Sequence, residues 1–184
     1  MQGKLSALAQ VCVTMLAWMA LFHLNTWFFS FFDWTKVICW IFLPAAVRLL
    51  CVLLFNWRGA LGLWLGTFAT NEPVFGADLH ESLVVATISA TAPLAAVYIS
   101  MRLLKVSLAL RGLSTTQLIV FAIVGALCNV LPHNLYFWSV GMTLLPFSGV
   151  IPMFVGDIAG TVIVLYTLRG ALVAAERFVR LPTR

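Results

Sequence analysis

The sequence predicts an all-α, polytopic membrane protein, a bundle of about six transmembrane helices with both termini in the cytoplasm, and three observations carry that prediction. Of 184 residues, 62% are hydrophobic and only 9% are charged, giving a mean hydropathy of +1.04. Apolar runs of near-spanning length recur from end to end, and the basic residues gather where those runs stop. A soluble domain cannot cover so much apolar surface with so few charges. The polar stretches between runs are too short to form a soluble catalytic or nucleic-acid-binding domain. The net charge of +5 is therefore read as a set of topology determinants and not as a nucleic-acid footprint.

A helix needs about 20 apolar residues to cross the hydrocarbon core. The runs that approach this length are Leu5–His23, Ile38–Phe55, Trp57–Phe75, Leu83–Leu104, Gln117–Leu131 and Val150–Leu172. The first has only Lys4 before it and no small-residue cleavage site after it, so it reads as a spanning helix and not a signal peptide. In the second, a single arginine, Arg48, interrupts the apolar run. The third is the least regular: its continuous apolar part is Gly59–Ala69, and Pro73 ends any helix nearby. Gly59, Gly62 and Gly66 share one face of it, a pattern that serves close helix packing or homodimerisation. The fifth is short and is followed by Leu135–Leu145, an apolar stretch below spanning length that reads as an interfacial or re-entrant helix. The sixth contains one aspartate, Asp157, between Gly156 and the Ala159–Gly160 pair, small residues that let a neighbouring helix approach the carboxylate.

Charge tests the count independently of hydropathy, because cytoplasmic loops collect Lys and Arg. With the N-terminus inside, Lys4, Arg58, the loop bearing Arg102, Lys105 and Arg111, and the tail bearing Arg169, Arg177, Arg180 and Arg184 all fall on the cytoplasmic side. Lys36 alone falls outside. The rings of Trp27, Phe28, Phe29, Phe31, Phe32 and Trp34 then mark the outer interface, where amphipathic aromatics settle.

Ionisable groups inside spans are expensive and mark either function or a structural ion pair. Arg48 and Asp157 lie on segments running in the same direction, about one turn apart in depth, so they can pair. A clamp between two helices and a polar ligand site facing an internal cavity both fit that placement. Elsewhere the chemistry is sparse. Cys12, Cys39, Cys51 and Cys128 each lie within an apolar run without metal-ligand spacing, and read as small hydrophobes. Glu72, Asp78, His80 and Glu81 fit a solvated loop better than a metal site, and His23 and His133 read as interfacial hydrogen-bonding groups. No activated nucleophile, phosphate loop or carboxylate pair is visible, so neither enzyme activity nor a cofactor is expected.

Two stretches resemble a known family. Trp40-Ile41-Phe42-Leu43-Pro44-Ala45-Ala46, continuing through Phe55-Asn56-Trp57-Arg58-Gly59 to Phe68, and Phe154-Val155-Gly156-Asp157-Ile158-Ala159-Gly160 to Val164, are similar to the first class of membrane-associated sensor domains of bacterial histidine kinases and cyclic-di-GMP enzymes. Leu43-Pro44-Ala45-Ala46 stands where that family has a Pro-Pro-Ala-Gly-like run, Arg48 is not part of its pattern, and no output domain follows Arg184. The resemblance implies a stand-alone sensor or scaffold of the bacterial inner membrane that acts through a protein partner. Arg102, Lys105, Arg111, Arg177 and Arg180 would meet that partner or anionic lipid. Size and topology also resemble the substrate-binding subunits of energy-coupling-factor transporters, which makes small-molecule uptake the competing expectation.

Overall fold

The computed structural model describes residues 6–75, 78–104 and 115–179, without the side chains of 72–75, 103–104, 115–118, 172–173 and 176–179. Among the described residues the protein is all-helical apart from one two-stranded ribbon. Six helices follow in order: α1 (Ala7–Phe29), α2 (Pro44–Phe55), α3 (Trp57–Phe75), α4 (Leu79–Leu104), α5 (Thr115–Ser139) and α6 (Val150–Val179). A single 3-10 turn, Ser30–Phe32, leads from α1 into an antiparallel hairpin of β1 (Asp33–Thr35) and β2 (Ile38–Cys39). Four helical segments among the described residues are long and apolar enough to cross a membrane: Ala7–Phe32, Leu79–Arg102, Ile119–Ser139 and Val150–Ala171.

The helix ends follow from local chemistry. Ser6 caps α1, its Oγ accepting from the Ala9 N–H at 3.2 Å, which satisfies one of the free N–H groups at a helix start. Pro44 opens α2, where its missing N–H costs nothing. Asp78 and Glu81 form a reciprocal cap at α4: Asp78 Oδ1 accepts from the Glu81 N–H at 2.7 Å and Glu81 Oε2 from the Asp78 N–H at 3.4 Å. Pro93 and Pro132 lie inside α4 and α5 without ending them, as membrane-embedded helices tolerate.

Helix α1 runs on to Phe29, α4 starts at Leu79 and α6 runs on to Val179, and two further stretches differ in kind from expectation. The stretch Ile38–Phe55 is not one helix: its first residues pair with β1, and only twelve residues from Pro44 are helical. At 1.5 Å per residue α2 is about 18 Å long, well short of the bilayer core. The β-branched Val37 and Ile38 favour extended backbone, and Pro44, which lacks an N–H and has its φ preset for a helix, suits the first turn of α2. The proposed re-entrant helix at Leu135–Leu145 is likewise absent. Helix α5 continues through Pro132 to Ser139, and residues 140–149 form turns in which Gly141 and Phe147 have positive φ.

Short as it is, α2 is the centre of the bundle. It contacts α1, α3, α4 and α6, while α1 packs on α3, α3 on α4, α4 on α5 and α5 on α6 around it. Polarity is inverted relative to a soluble protein. Thr14, Asn25, Arg48, Asn71, Asn129 and Asp157 are buried, whereas Leu8, Phe31, Leu135, Ile151 and Tyr166 are among the apolar and aromatic residues that face outwards. Lipid is the solvent that such a surface suits.

Glycines set the closeness of the packing. A Cβ on Gly59 would strike the Cys51 carbonyl across the sharp α2–α3 corner, where Asn56 takes φ 53°. Gly62 sits against Val11 and Thr14, and Gly66 against the Trp18 ring, so the glycine face of α3 is covered by α1 of the same chain. Gly156 and Gly160 on α6 lie against the backbone of Cys39–Trp40 and Phe42–Leu43. Gly160→Ala is therefore expected to destabilise the bundle by at least about 1–3 kcal/mol, because backbone and not a movable side chain stands in the way. Gly170→Ala, at a position with nothing within 4 Å, is expected to be neutral or stabilising by up to about 1 kcal/mol. Thermal unfolding of the purified variants in one detergent checks both.

Candidate functional site: a buried ion pair at the base of a cavity

The segment that enters α2 is pinned from both sides. The Phe42 N–H donates to the Gly156 carbonyl of α6 at 3.0 Å, and the Leu43 N–H donates to Asn25 Oδ1 of α1 at 2.8 Å. These bonds replace the long helix expected from sequence as the device that sets depth. Arg48 is the fifth residue of α2 and Asp157 the eighth of α6, and the pinned register brings them together. Arg48 Nη1 donates to Asp157 Oδ2 at 3.0 Å, with both side chains about 95% buried.

The pair is asymmetric. Asp157 Oδ2 also accepts from Asn129 Nδ2 of α5 at 2.8 Å, whereas Oδ1 has no hydrogen-bond partner among the described residues. Arg48 likewise uses Nη1 and leaves Nε without one. Its guanidinium carbon lies 5.6 Å from the Trp18 ring and 5.5 Å from the Phe42 ring, so aromatic faces stabilise the cation and fix its plane. Trp18 is itself held, its Nε1 donating to Thr70 Oγ1 at 3.2 Å.

Above the pair is a cavity of about 340 Å³. Trp18, Phe22, Phe137, Val85, Met142 and Met153 give it apolar walls, and Thr67, Asn71, Ser89 and His133 add polar groups. The hairpin covers it through Thr35–Cys39, and the exposed Lys36 and partly exposed Glu81 stand at its rim. On another side of the ion pair a cavity of about 20 Å³, lined by Ala45, Pro93, Gly125 and Thr161, has room for one water.

One contact in the wall escaped sequence reasoning. His133, expected at the interface, is buried: its ring Nδ1 lies 2.8 Å from the Asn129 carbonyl and its Nε2 lies 3.3 Å from Ser89 Oγ. A carbonyl only accepts, so Nδ1 carries the proton, and in the neutral ring Nε2 accepts from the Ser89 hydroxyl. The two residues are 44 apart in sequence, and no local pattern joins them. Cys39 also lines the cavity.

Of the other residues singled out from sequence, Arg102 is exposed on the last turn of α4, with Nη2 donating to Tyr98 Oη at 2.8 Å. Lys105, Arg111 and Arg180 lie outside the described residues, as do the side chains of Arg177 and Glu72. None of the six aromatics at Trp27–Trp34 lines the cavity.

Replacing Arg48 by Met strands a carboxylate, and replacing Asp157 by Leu strands a guanidinium. Each single change is expected to cost about 3–5 kcal/mol. The double variant Arg48→Met/Asp157→Leu is expected to recover most of that loss, as read by thermal unfolding and by yield in the membrane fraction. No family model, curated protein or solved structure matches the chain, so interpretation of the site rests on its own residues and geometry.

Proposed function

We propose that this chain is a non-enzymatic sensor subunit of the bacterial inner membrane. In this reading all six helices contribute to crossing the bilayer, α2 doing so together with the hairpin that precedes it, and both termini are cytoplasmic. The positive-inside rule supports that orientation, since Arg58 at the α2–α3 corner, Arg102 at the end of α4 and Arg169 late in α6 then share one side and Lys36 takes the other. A small molecule enters from the Lys36 side and rests above the ion pair. Occupancy is passed to a partner protein on the cytoplasmic side, where the sequence pattern places Arg102, Lys105, Arg111, Arg177 and Arg180.

The observation that carries this reading is the cavity itself: a space of ligand size whose base is a buried ion pair with hydrogen-bonding capacity to spare. A clamp alone has no need of such a space. Because α2 touches α1, α3, α4 and α6, a ligand acting on Arg48 acts on the element that most of the bundle leans on. The same cavity favours a second reading, the substrate-binding subunit of an energy-coupling-factor transporter, in which the ligand is carried and not sensed.

Native mass spectrometry of the protein extracted from its own membrane tests the shared premise. A bound small molecule is expected in the wild type and not in Val85→Trp, which fills the cavity. An empty wild type would sink both readings. Co-purification with a pair of ATP-binding cassette ATPases would replace sensing by transport, whereas co-purification with a kinase or cyclic-dinucleotide enzyme supports sensing. The Ser89–His133 contact supplies a separate check on the absence of catalysis. A fluorophosphonate probe is expected to leave Ser89 unlabelled, since its orienting group is a backbone carbonyl and not a carboxylate; labelling abolished by His133→Ala would mean a hydrolase.

A further inference from the structure

We infer that the molecule this cavity takes is an amphiphile, one hydrocarbon chain of which fills the space while its polar head stays at the rim. The inference rests on the receptor reading and specifies its ligand.

The walls are the first ground. The surface that the cavity presents is mostly apolar, supplied by residues such as Trp18, Phe22, Val85, Phe137, Met142 and Met153. Its polar groups bond one another or are covered. Ser89 bonds His133, His133 bonds the Asn129 carbonyl, and Arg48 holds Asp157. The atoms left without partners there, Arg48 Nε, Thr67 Oγ1, Asn71 Nδ2 and Asp157 Oδ1, have almost no accessible surface. Water entering such a space finds few groups to bond, and leaving it empty forfeits dispersion contacts along every wall. A methylene chain restores those contacts and asks for no hydrogen bond. The thioethers of Met142 and Met153 adapt readily to its course. At about 340 Å³ the space lies near the lower limit for ligand pockets, so it suits one chain and not the two of a whole diacyl lipid.

The surroundings of the mouth are the second ground. Phe31, Phe32 and Trp34 are exposed on the turn and strand that run into Thr35–Cys39, the cover of the cavity. Leu144, Leu145 and Phe147 are exposed just beyond Met142 in its wall. Aromatic side chains exposed on the connections at one end of a membrane bundle settle in the interfacial layer, and the exposed Lys36 suits the same layer. The cavity thus begins at the depth where lipid chains begin, and a chain reaches it without crossing water.

The test uses the full chain in phosphatidylcholine nanodiscs and reads the emission of Trp18, whose ring lines the cavity and is only 2% exposed. Every other tryptophan is replaced by Phe, and bromine, which quenches indole on contact, marks the chain. In one arm the disc lipid itself is dibrominated; in the other dibromostearate is added to unbrominated discs. Trp18 is expected to lose most of its emission in at least one arm and to keep it when Val85→Phe narrows the cavity. The arm that quenches tells a bilayer phospholipid from a free single-chain amphiphile. Quenching in neither arm, or quenching that Val85→Phe leaves unchanged, overturns the inference. Should the single-tryptophan chain fail to fold, native mass spectrometry of the unaltered chain from both kinds of disc is the second readout. The brominated amphiphile is expected on the wild type and not on Val85→Trp, and its absence from the wild type in both arms overturns the inference. In protein taken from its own membrane, a bound molecule without a hydrocarbon chain overturns the ligand class and leaves the receptor reading standing, whereas an empty wild type sinks both.

Discussion

A guanidinium and a carboxylate taken out of water and into a lipid-facing bundle stabilise it only if each holds the other and further groups hold them both. Arg48 and Asp157 meet that condition through several elements at once. Trp18 of α1 and Phe42 flank the cation, Asn129 of α5 donates to the anion, and the backbone bond from Phe42 to Gly156 fixes the register that lets the charges touch. Much of the surrounding architecture follows from this requirement. Gly66 clears the face of α3 so that Trp18 can lie flat on it and reach Thr70. Gly156 and Gly160 let the chain entering α2 come within backbone contact of α6.

The same arrangement accounts for a helix too short to span the membrane at the middle of a membrane bundle. Helix α2 has little lipid-facing work to do, since its neighbours surround it. Its polar residue is tolerated because that residue never meets lipid. The hairpin ahead of it roofs the cavity, so one local change of backbone, from a hairpin ending at Cys39 to a helix from Pro44, creates both the buried cation and the space above it. The cavity lies beside the interaction that organises the fold, so a molecule bound there would act on that interaction.

Several features were legible from residues alone. The helical membrane class came from composition, and the pairing of Arg48 with Asp157 from the expense of leaving either alone in lipid. The glycine positions 59, 62, 66, 156 and 160 stood out from their spacing. A helix counted from Ile38 brings the two residues to similar depth, but the protein reaches that pairing by another route: β2 occupies Ile38–Cys39 and the helix begins at Pro44. Hydropathy cannot separate an apolar strand from an apolar helix. Leu135–Leu145 reads as a separate element because Pro132, His133 and Asn134 interrupt the apolar run, whereas its residues to Ser139 are the end of α5. The cap formed by Asp78 and Glu81 was read as loop acidity because its meaning depends on where α4 starts.

By itself, the sequence determined the solvent this protein lives in and the identity of its costly residues, because both follow from transfer free energies that belong to side chains wherever they sit. Tertiary structure alone decided which groups share a space. Ser89 met His133, Asn129 joined Asp157, and Thr67 and Asn71 were set unmatched around one cavity. Those relations span distant parts of the chain and depend on the close backbone approach of several helices, which no periodicity encodes. The ion pair was one of the outcomes that the cost of lone charges in lipid allows, while its unmatched atoms appeared only once the helices had packed.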